Sequence, residues 1–196
     1  MFYDRFTRFL HVLFAFGIVI QLVISEWMVH PKPDRAANFL YEIHEKLGVA
    51  LLVVLVIHWL WSLIRGGPVP LGQLFPWFAA ARRAALWQDI KHYLASFVKL
   101  RLPGAEEPSP LAGAIQGVGL VIATVMAATG TLIFFNVDDS WQFSSWLSAV
   151  KEVHKFLGPV MWTYLAVHVG ASVLHEIFGH RLIHPMFRFR KKNPDS

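Results

Sequence analysis

The 196-residue sequence predicts an all-α membrane protein, a four-transmembrane-helix bundle with an interfacial amphipathic helix in its cytoplasmic loop. Three observations predict it. Hydrophobic residues make up 55% of the chain and charged residues only 16%, with a mean hydropathy of +0.46, whereas soluble domains carry about 25% charged residues. Four separate apolar runs reach the roughly 20 residues needed to cross the hydrocarbon core of a bilayer. Lysine and arginine collect on one side of those runs. The length suits a single membrane domain over residues 1–196, with no room for a second globular one.

The first span, about residues 9–29, follows Arg5 and Arg8 and superficially resembles a signal peptide. No small-x-small cleavage site follows and the run outlasts an ordinary h-region, so it reads as an uncleaved first helix. The second span covers about 43–64, the third about 111–135 and the fourth about 153–178. The breaks are His30-Pro31-Lys32-Pro33-Asp34, the long segment 65–110, and about 136–146.

Four spans put both termini on one side. That side carries Arg5, Arg8, Arg65, Arg82, Arg83, Lys91, Lys99, Arg101, Arg181, Arg188, Arg190, Lys191 and Lys192, against Lys32, Arg35, Lys46, Lys151 and Lys155 opposite. The positive-inside rule places both termini and the long loop in the cytoplasm of a multi-pass inner-membrane protein. A basic cytoplasmic rim also accounts for the net charge of +5 without a nucleic-acid partner. The tail Arg188-Phe189-Arg190-Lys191-Lys192 suits anionic membrane lipid. Within the loop, apolar residues at Trp87, Ile90, Leu94, Phe97 and Val98, with basic residues between, mark a helix lying in the interface.

Cysteine is absent, which excludes disulfides, Cys-ligated zinc, iron–sulfur clusters and covalently attached c-type haem. A metal cofactor must therefore rest on the histidines. Five of them, His11, His44, His58, His154 and His168, fall in or at the ends of spans, where an ionisable residue is a functional hypothesis by default. His44 and His58 are 14 residues apart, as are His154 and His168. That is close to four helical turns, so each pair shares a helix face, with a rise of about 21 Å inside a slab of about 30 Å. Two facing helices of this kind complete two bis-imidazole sites stacked across the bilayer. Both helices also read H-x-x-x-G, at His44–Gly48 and His154–Gly158. A glycine one turn from a ligand leaves room for a flat macrocycle, against the alternative of close helix packing.

Zinc or copper needs ligands converging on one point, and a proton relay needs acids along the span. Glu26, Glu45, Glu152 and Glu176 sit near span ends instead. Bis-histidine haem b is the best account. Helices two and four run the same way, so His44 and His154 share the outer level and His58 and His168 the inner one. His11 lies at the inner level too, so three histidines compete for two axial positions there, and spacing alone favours His58 with His168. The other histidines read as surface or interfacial residues: His30 in a turn, His92 in the amphipathic helix, and His175, His180 and His184 at the last turns of helix four, meeting water, lipid headgroups or propionates rather than metal.

Over essentially its whole length the sequence resembles the bacterial cytochrome b561 family, and within it the Ni/Fe-hydrogenase b-type cytochrome branch. The resemblance rests on Arg8-Phe9-Leu10-His11, His44-x-x-x-Gly48, Trp87…Asp89-Ile90-Lys91…Tyr93-Leu94, Pro110-Leu111-Ala112, Thr129-Gly130, His154 and His168. It implies four helices, two haems b, and electron exchange with the quinone pool. Carried over position by position, it implies axial ligation of iron by His11 with His168 and by His44 with His154. The family usually has arginine at the place of His58, and asparagine at the place of serine in Glu107-Pro108-Ser109-Pro110. The departure at His58 keeps it as the alternative to His11.

The leading expectation is a transmembrane electron carrier, a quinone-linked cytochrome working with a redox partner protein. The long loop resembles that of membrane anchors of periplasmic hydrogenases or dehydrogenases. A stand-alone superoxide:quinone oxidoreductase ranks lower, because seven acids (Glu26, Asp34, Glu42, Glu45, Asp138, Asp139 and Glu152) face five basic residues on the outer side, which would not steer superoxide inward. A haem-free transporter or anchor is the reading from another class. Trp27, Trp59, Trp61, Trp77, Trp141, Trp146 and Trp162 are expected as interfacial anchors rather than quinone ligands.

Overall fold

A computed structural model of the chain describes residues 4–65, 71–99, 101–104, 109–137 and 141–187. Asp138, Asp139, Glu107, Pro108 and the basic tail from Arg188 lie outside the described residues. The described elements are helical, apart from one isolated bridge between Lys32 and Arg35. Four helices are long and apolar enough to cross a membrane: α1 (Arg5–Trp27), α2 (Phe39–Ile64), α5 (Pro110–Asn136) and α6 (Ser145–Ile177). Between α2 and α5 lie a single turn, α3 (Leu71–Leu74), a 3₁₀ turn at Pro76–Phe78, and the expected amphipathic helix, α4 (Ala80–Val98). A short α7 (Ile183–Phe187) closes the described chain.

The long helices start before the apolar runs do; α6 begins at Ser145 rather than near 153. Hydropathy marks the part of a helix that suits lipid, while helix ends are set by whatever satisfies the first N–H and last C=O groups. Asp4 caps α1, its Oδ1 accepting from Thr7 N–H at 2.8 Å. Asn38 caps α2 by accepting from Tyr41 N–H at 3.1 Å, and accepts from Val29 N–H at 2.9 Å as well. Ser109 Oγ accepts from Ala112 N–H at 2.9 Å, ahead of a proline in the first position of α5. Asp89 on α4 adds its Oδ2 to Leu111 N–H at 2.9 Å, a carboxylate at the positive end of a helix.

The end of α6 turns on Gly179, whose φ of +87° is open to glycine at little cost. His180 N–H reaches back to His175 C=O at 2.8 Å and Gly179 N–H to Glu176 C=O at 3.1 Å, the two bonds of a Schellman closure. Glu176 Oε2 then accepts from Ile183 N–H at the start of α7.

Close contacts group the chain into two compact units. The first comprises residues 1–12, 62–118 and 166–196, and the second residues 13–61 and 119–165. The core of the second unit is Leu22, Ala123 and Met161, with Phe14, Ile18, Ile122, Met126, Tyr164 and Leu165 packed on it. In the first unit Leu10, Leu74 and Ala114 are buried, and Gly117 brings α5 against the backbone of Leu74 where a Cβ could not fit. Large apolar side chains such as Phe16, Val53, Phe156 and Val167 are exposed on the spanning helices. They suit lipid, which leaves close packing and hydrogen bonds between helices to hold the fold together.

Candidate functional site

In the second unit, α2 and α6 bring His44 and His154 together, with ring centres 6.3 Å apart and planes at 89°. Thr129 on α5 orients the second ring: its Oγ1 lies 2.9 Å from His154 Nδ1. The same oxygen lies 2.7 Å from Val125 C=O and 3.1 Å from Met126 C=O. A hydroxyl has one proton. Spent on a carbonyl, it leaves the oxygen to accept from Nδ1–H, and His154 Nε2 then carries the lone pair for a metal. The next residue is Gly130, where a Cβ would stand 3.0 Å from His154 Cε1.

His44 is held through its backbone. Gln21, buried on α1, donates from Nε2 to His44 C=O at 2.8 Å. It reaches that carbonyl past Gly48, where a Cβ would lie 3.0 Å from the amide nitrogen. The equivalent glycine on α6, Gly158, has nothing within 4 Å of a built Cβ. His44 Nδ1 is buried with no hydrogen-bond partner among the described residues. Such an orphan costs about 1–3 kcal/mol, which a bound group contacting that nitrogen would relieve.

The first unit holds the other pair. His11 on α1 and His168 on α6 have ring centres 6.3 Å apart and planes at 52°. Arg8, one turn before His11, is only 4% exposed. Arg65, at the end of α2, donates from Nη1 to Thr7 Oγ1 at 2.7 Å and stands 3.8 Å from Asp4 Oδ2. His58 belongs to the second unit and is half-buried.

The remaining histidines differ from one another. His30 is exposed, edge-on to Tyr41 at 5.8 Å, and its pKa is pushed down by desolvation and then by Lys151, Lys155 and Arg35. His92 and His184 are exposed. His175 departs from the expectation of a solvent-facing residue: it is buried, its Nδ1 3.1 Å from His180 Nδ1 and its ring edge-on to Tyr93 at 6.2 Å. The Schellman turn folds His180 back against it. Tyr93 has its phenol pKa raised, chiefly by desolvation and further by the charge of Asp89, with Ser109 opposing through a hydrogen bond. Two tryptophans expected as anchors make interhelical bonds instead, Trp59 Nε1–H to Thr124 Oγ1 at 3.0 Å and Trp162 Nε1–H to Glu26 Oε1 at 3.1 Å.

The pairs fit haem iron. Two axial metal–nitrogen bonds of about 2 Å, with the radii of two five-membered rings, place imidazole centres about 6.3 Å apart across a six-coordinate iron. Both pairs show that spacing. Among the described residues no group of three or more histidines or carboxylates could hold a bare metal ion; a two-nitrogen set suits a metal whose other ligands come with it. Gln21, Thr129, Arg8 and Arg65 are polar groups of the two units that the reading of the sequence did not assign. The Thr129-Gly130 motif was a signal for one of them and a mid-span glutamine for another. The burial of the two arginines had no signal in the sequence.

The chain matches the family model described as prokaryotic cytochrome b561 over residues 2–189. Searches of curated proteins and of solved structures returned no match. With nearly its whole length matched, four spanning helices, and two histidine pairs at the spacing of axial imidazoles, the chain belongs to the prokaryotic cytochrome b561 family.

Proposed function

We propose that the chain carries electrons across the bacterial inner membrane through two b haems, exchanging them with the quinone pool and with a redox partner protein. Family membership implies haem-b transmembrane electron transfer. The observation that carries the finer reading is the common 6.3 Å separation of His44 from His154 and of His11 from His168. In it these four residues are the axial ligands, and the 6.3 Å between the rings of His11 and His168 supports His11 rather than His58 as the partner of His168.

The haems supply reversible one-electron iron chemistry when bound. The protein supplies ligation, orientation and exclusion of water. Thr129 keeps the proton of His154 on Nδ1. Gln21 ties α1 to the backbone of His44. Both termini and the loop bearing α4 are assigned to the cytoplasm on their excess of lysine and arginine. The length of that loop, by its resemblance to the hydrogenase-type branch, favours attachment to a larger hydrogenase or dehydrogenase complex as the setting of the partner, while exposed Trp87, Leu94 and Phe97 on α4 suit the membrane interface.

The test is spectroscopic. The purified protein is expected to give a b-type reduced-minus-oxidised spectrum with two haems per chain. Alanine at His44 or His154 should remove one haem, alanine at His11 or His168 the other, and His58→Ala should leave both. A colourless protein would end the reading, and loss of a haem with His58→Ala while His11→Ala kept both would overturn the ligand assignment.

A further inference from the structure

The first unit encloses a cavity of about 140 Å³ where the end of α4 meets the last turns of α6, lined by Phe97, Arg101, Leu102, Leu174 and Phe178. Its origin is local. Tyr93 on α4 stands edge-on to His175 on α6 at 6.2 Å and brings the two helices into contact. Phe97 lies one turn further along α4, and the helix stops at Val98. Lys99 N–H and Arg101 N–H both return to Ser96 C=O, at 3.0 and 2.9 Å, which turns the chain back on the helix and sets Arg101 and Leu102 beside the gap. Carbon makes up almost all of the wall apart from the guanidinium, and no carboxylate is among the described lining residues. Phe97, Leu174 and Phe178 are 56%, 43% and 56% exposed, and Arg101 is exposed as well, so the cavity opens outward.

We propose that this cavity binds an anionic phospholipid of the leaflet on which α4 lies, with part of an acyl chain among the four apolar side chains and the phosphate on Arg101. None of the four paired histidines lines it, and the site does not depend on the haem reading. Three observations select that occupant. The cavity adjoins a helix whose Trp87, Leu94, Phe97 and Val98 are exposed, which suits the level where acyl chains meet headgroups. A cation at the mouth of an apolar hollow complements a molecule that is anionic at one end and apolar at the other. Size then separates the lipid from a quinone ring. Pockets for drug-sized ligands run to about 300–1,000 Å³ and carry polar groups at fixed positions, whereas about 140 Å³ walled by carbon suits a slender chain. The lipid bridges the ends of α4 and α6 just beyond the contact of Tyr93 with His175.

The test is a lipid titration of the purified full-length protein, stripped of bound lipid in a neutral detergent, with native mass spectrometry following the first lipid taken up. Phosphatidylglycerol is expected to bind about fivefold more tightly than phosphatidylcholine with the same chains, the effect of one basic side chain near a membrane surface. Arg101→Gln should abolish that preference and Arg101→Lys should keep it. Leu174→Trp fills the cavity and should weaken the binding of both lipids. Lys91→Gln, at an exposed position on α4 outside the lining, should change neither. Melting curves establish that each variant is folded, and if Leu174→Trp does not fold, the two Arg101 variants decide. Unchanged phosphatidylglycerol binding in Arg101→Gln would overturn the site. An equal loss in Lys91→Gln would do so too, since it would mean attraction to a diffuse basic surface. Displacement of the lipid by inorganic phosphate would put a free anion in its place, and displacement by a short-chain quinone a redox ligand; either result refutes the lipid assignment.

Discussion

Thr129→Val is the sharpest probe of the His44–His154 pair. Valine keeps the volume and branching of threonine and removes the oxygen 2.9 Å from His154 Nδ1, which accepts from that nitrogen when the hydroxyl proton is spent on a carbonyl. That bond pushes electron density toward the opposite ring nitrogen and so stabilises the more positive, oxidised iron. A hydrogen bond of this kind is worth about 0.5–1.5 kcal/mol net. At about 59 mV per tenfold for one electron, its loss from the oxidised form alone raises the midpoint potential by about 20–60 mV. The upper figure is a ceiling, since any share of the bond retained by the reduced form subtracts from it. Spectroelectrochemical titration of the purified protein reads the shift directly. One haem should rise, the one that His44→Ala removes, and the other should stay in place. Thr129→Ser restores the oxygen and should restore the potential. Unchanged potentials in Thr129→Val, or a serine variant behaving like valine, would refute the tautomer argument.

Two further outcomes follow from the second unit. Gly48→Ala puts a Cβ 3.0 Å from Gln21 Nε2 and should cost about 1 kcal/mol, the worth of the bond to His44 C=O that it displaces. Thermal melts should show this, and the loss should not add to that of Gln21→Leu; full additivity would mean that Gly48 acts through something other than Gln21. His30 has a folded pKa below its ordinary 6.5, so the unfolded chain takes up that proton first as pH falls. Its contribution to stability is present above about pH 6.5 and is lost as pH drops toward the folded value. The melting temperature should therefore fall less between about pH 7.5 and about pH 5 in His30→Gln than in the unaltered protein, and equal slopes would refute the depression of its pKa by desolvation and the neighbouring cations.

The spans were legible because lipid imposes a single requirement, about 20 apolar residues in a row, and the four runs meet it without ambiguity. The histidines stood out for a related reason: a charged or titratable side chain at such depth is costly, so each one kept there is a candidate for a role. His44 and His154 were paired by helix direction alone, and their rings stand 6.3 Å apart. The helix ends were less legible. Ser145 and Phe39 start their helices in polar sequence, where caps such as Asn38 decide and hydropathy is silent.

The contest between His11 and His58 shows where periodicity runs out. Fourteen residues between His44 and His58 guarantee a shared face of α2, and nothing in that spacing says which neighbouring helix the lower end of the face will meet. The motif Arg8-Phe9-Leu10-His11 spoke for α1, and the ring of His11 does stand 6.3 Å from that of His168. The physical distinction lies in what surrounds each candidate. His11 shares its unit with His168 and has Arg8, 4% exposed, one turn before it on α1. Arg8 and Arg65 lie 57 residues apart in the chain. Their charges were visible in the sequence as part of a basic rim, but only folding distinguishes a guanidinium that meets water from one withdrawn from it.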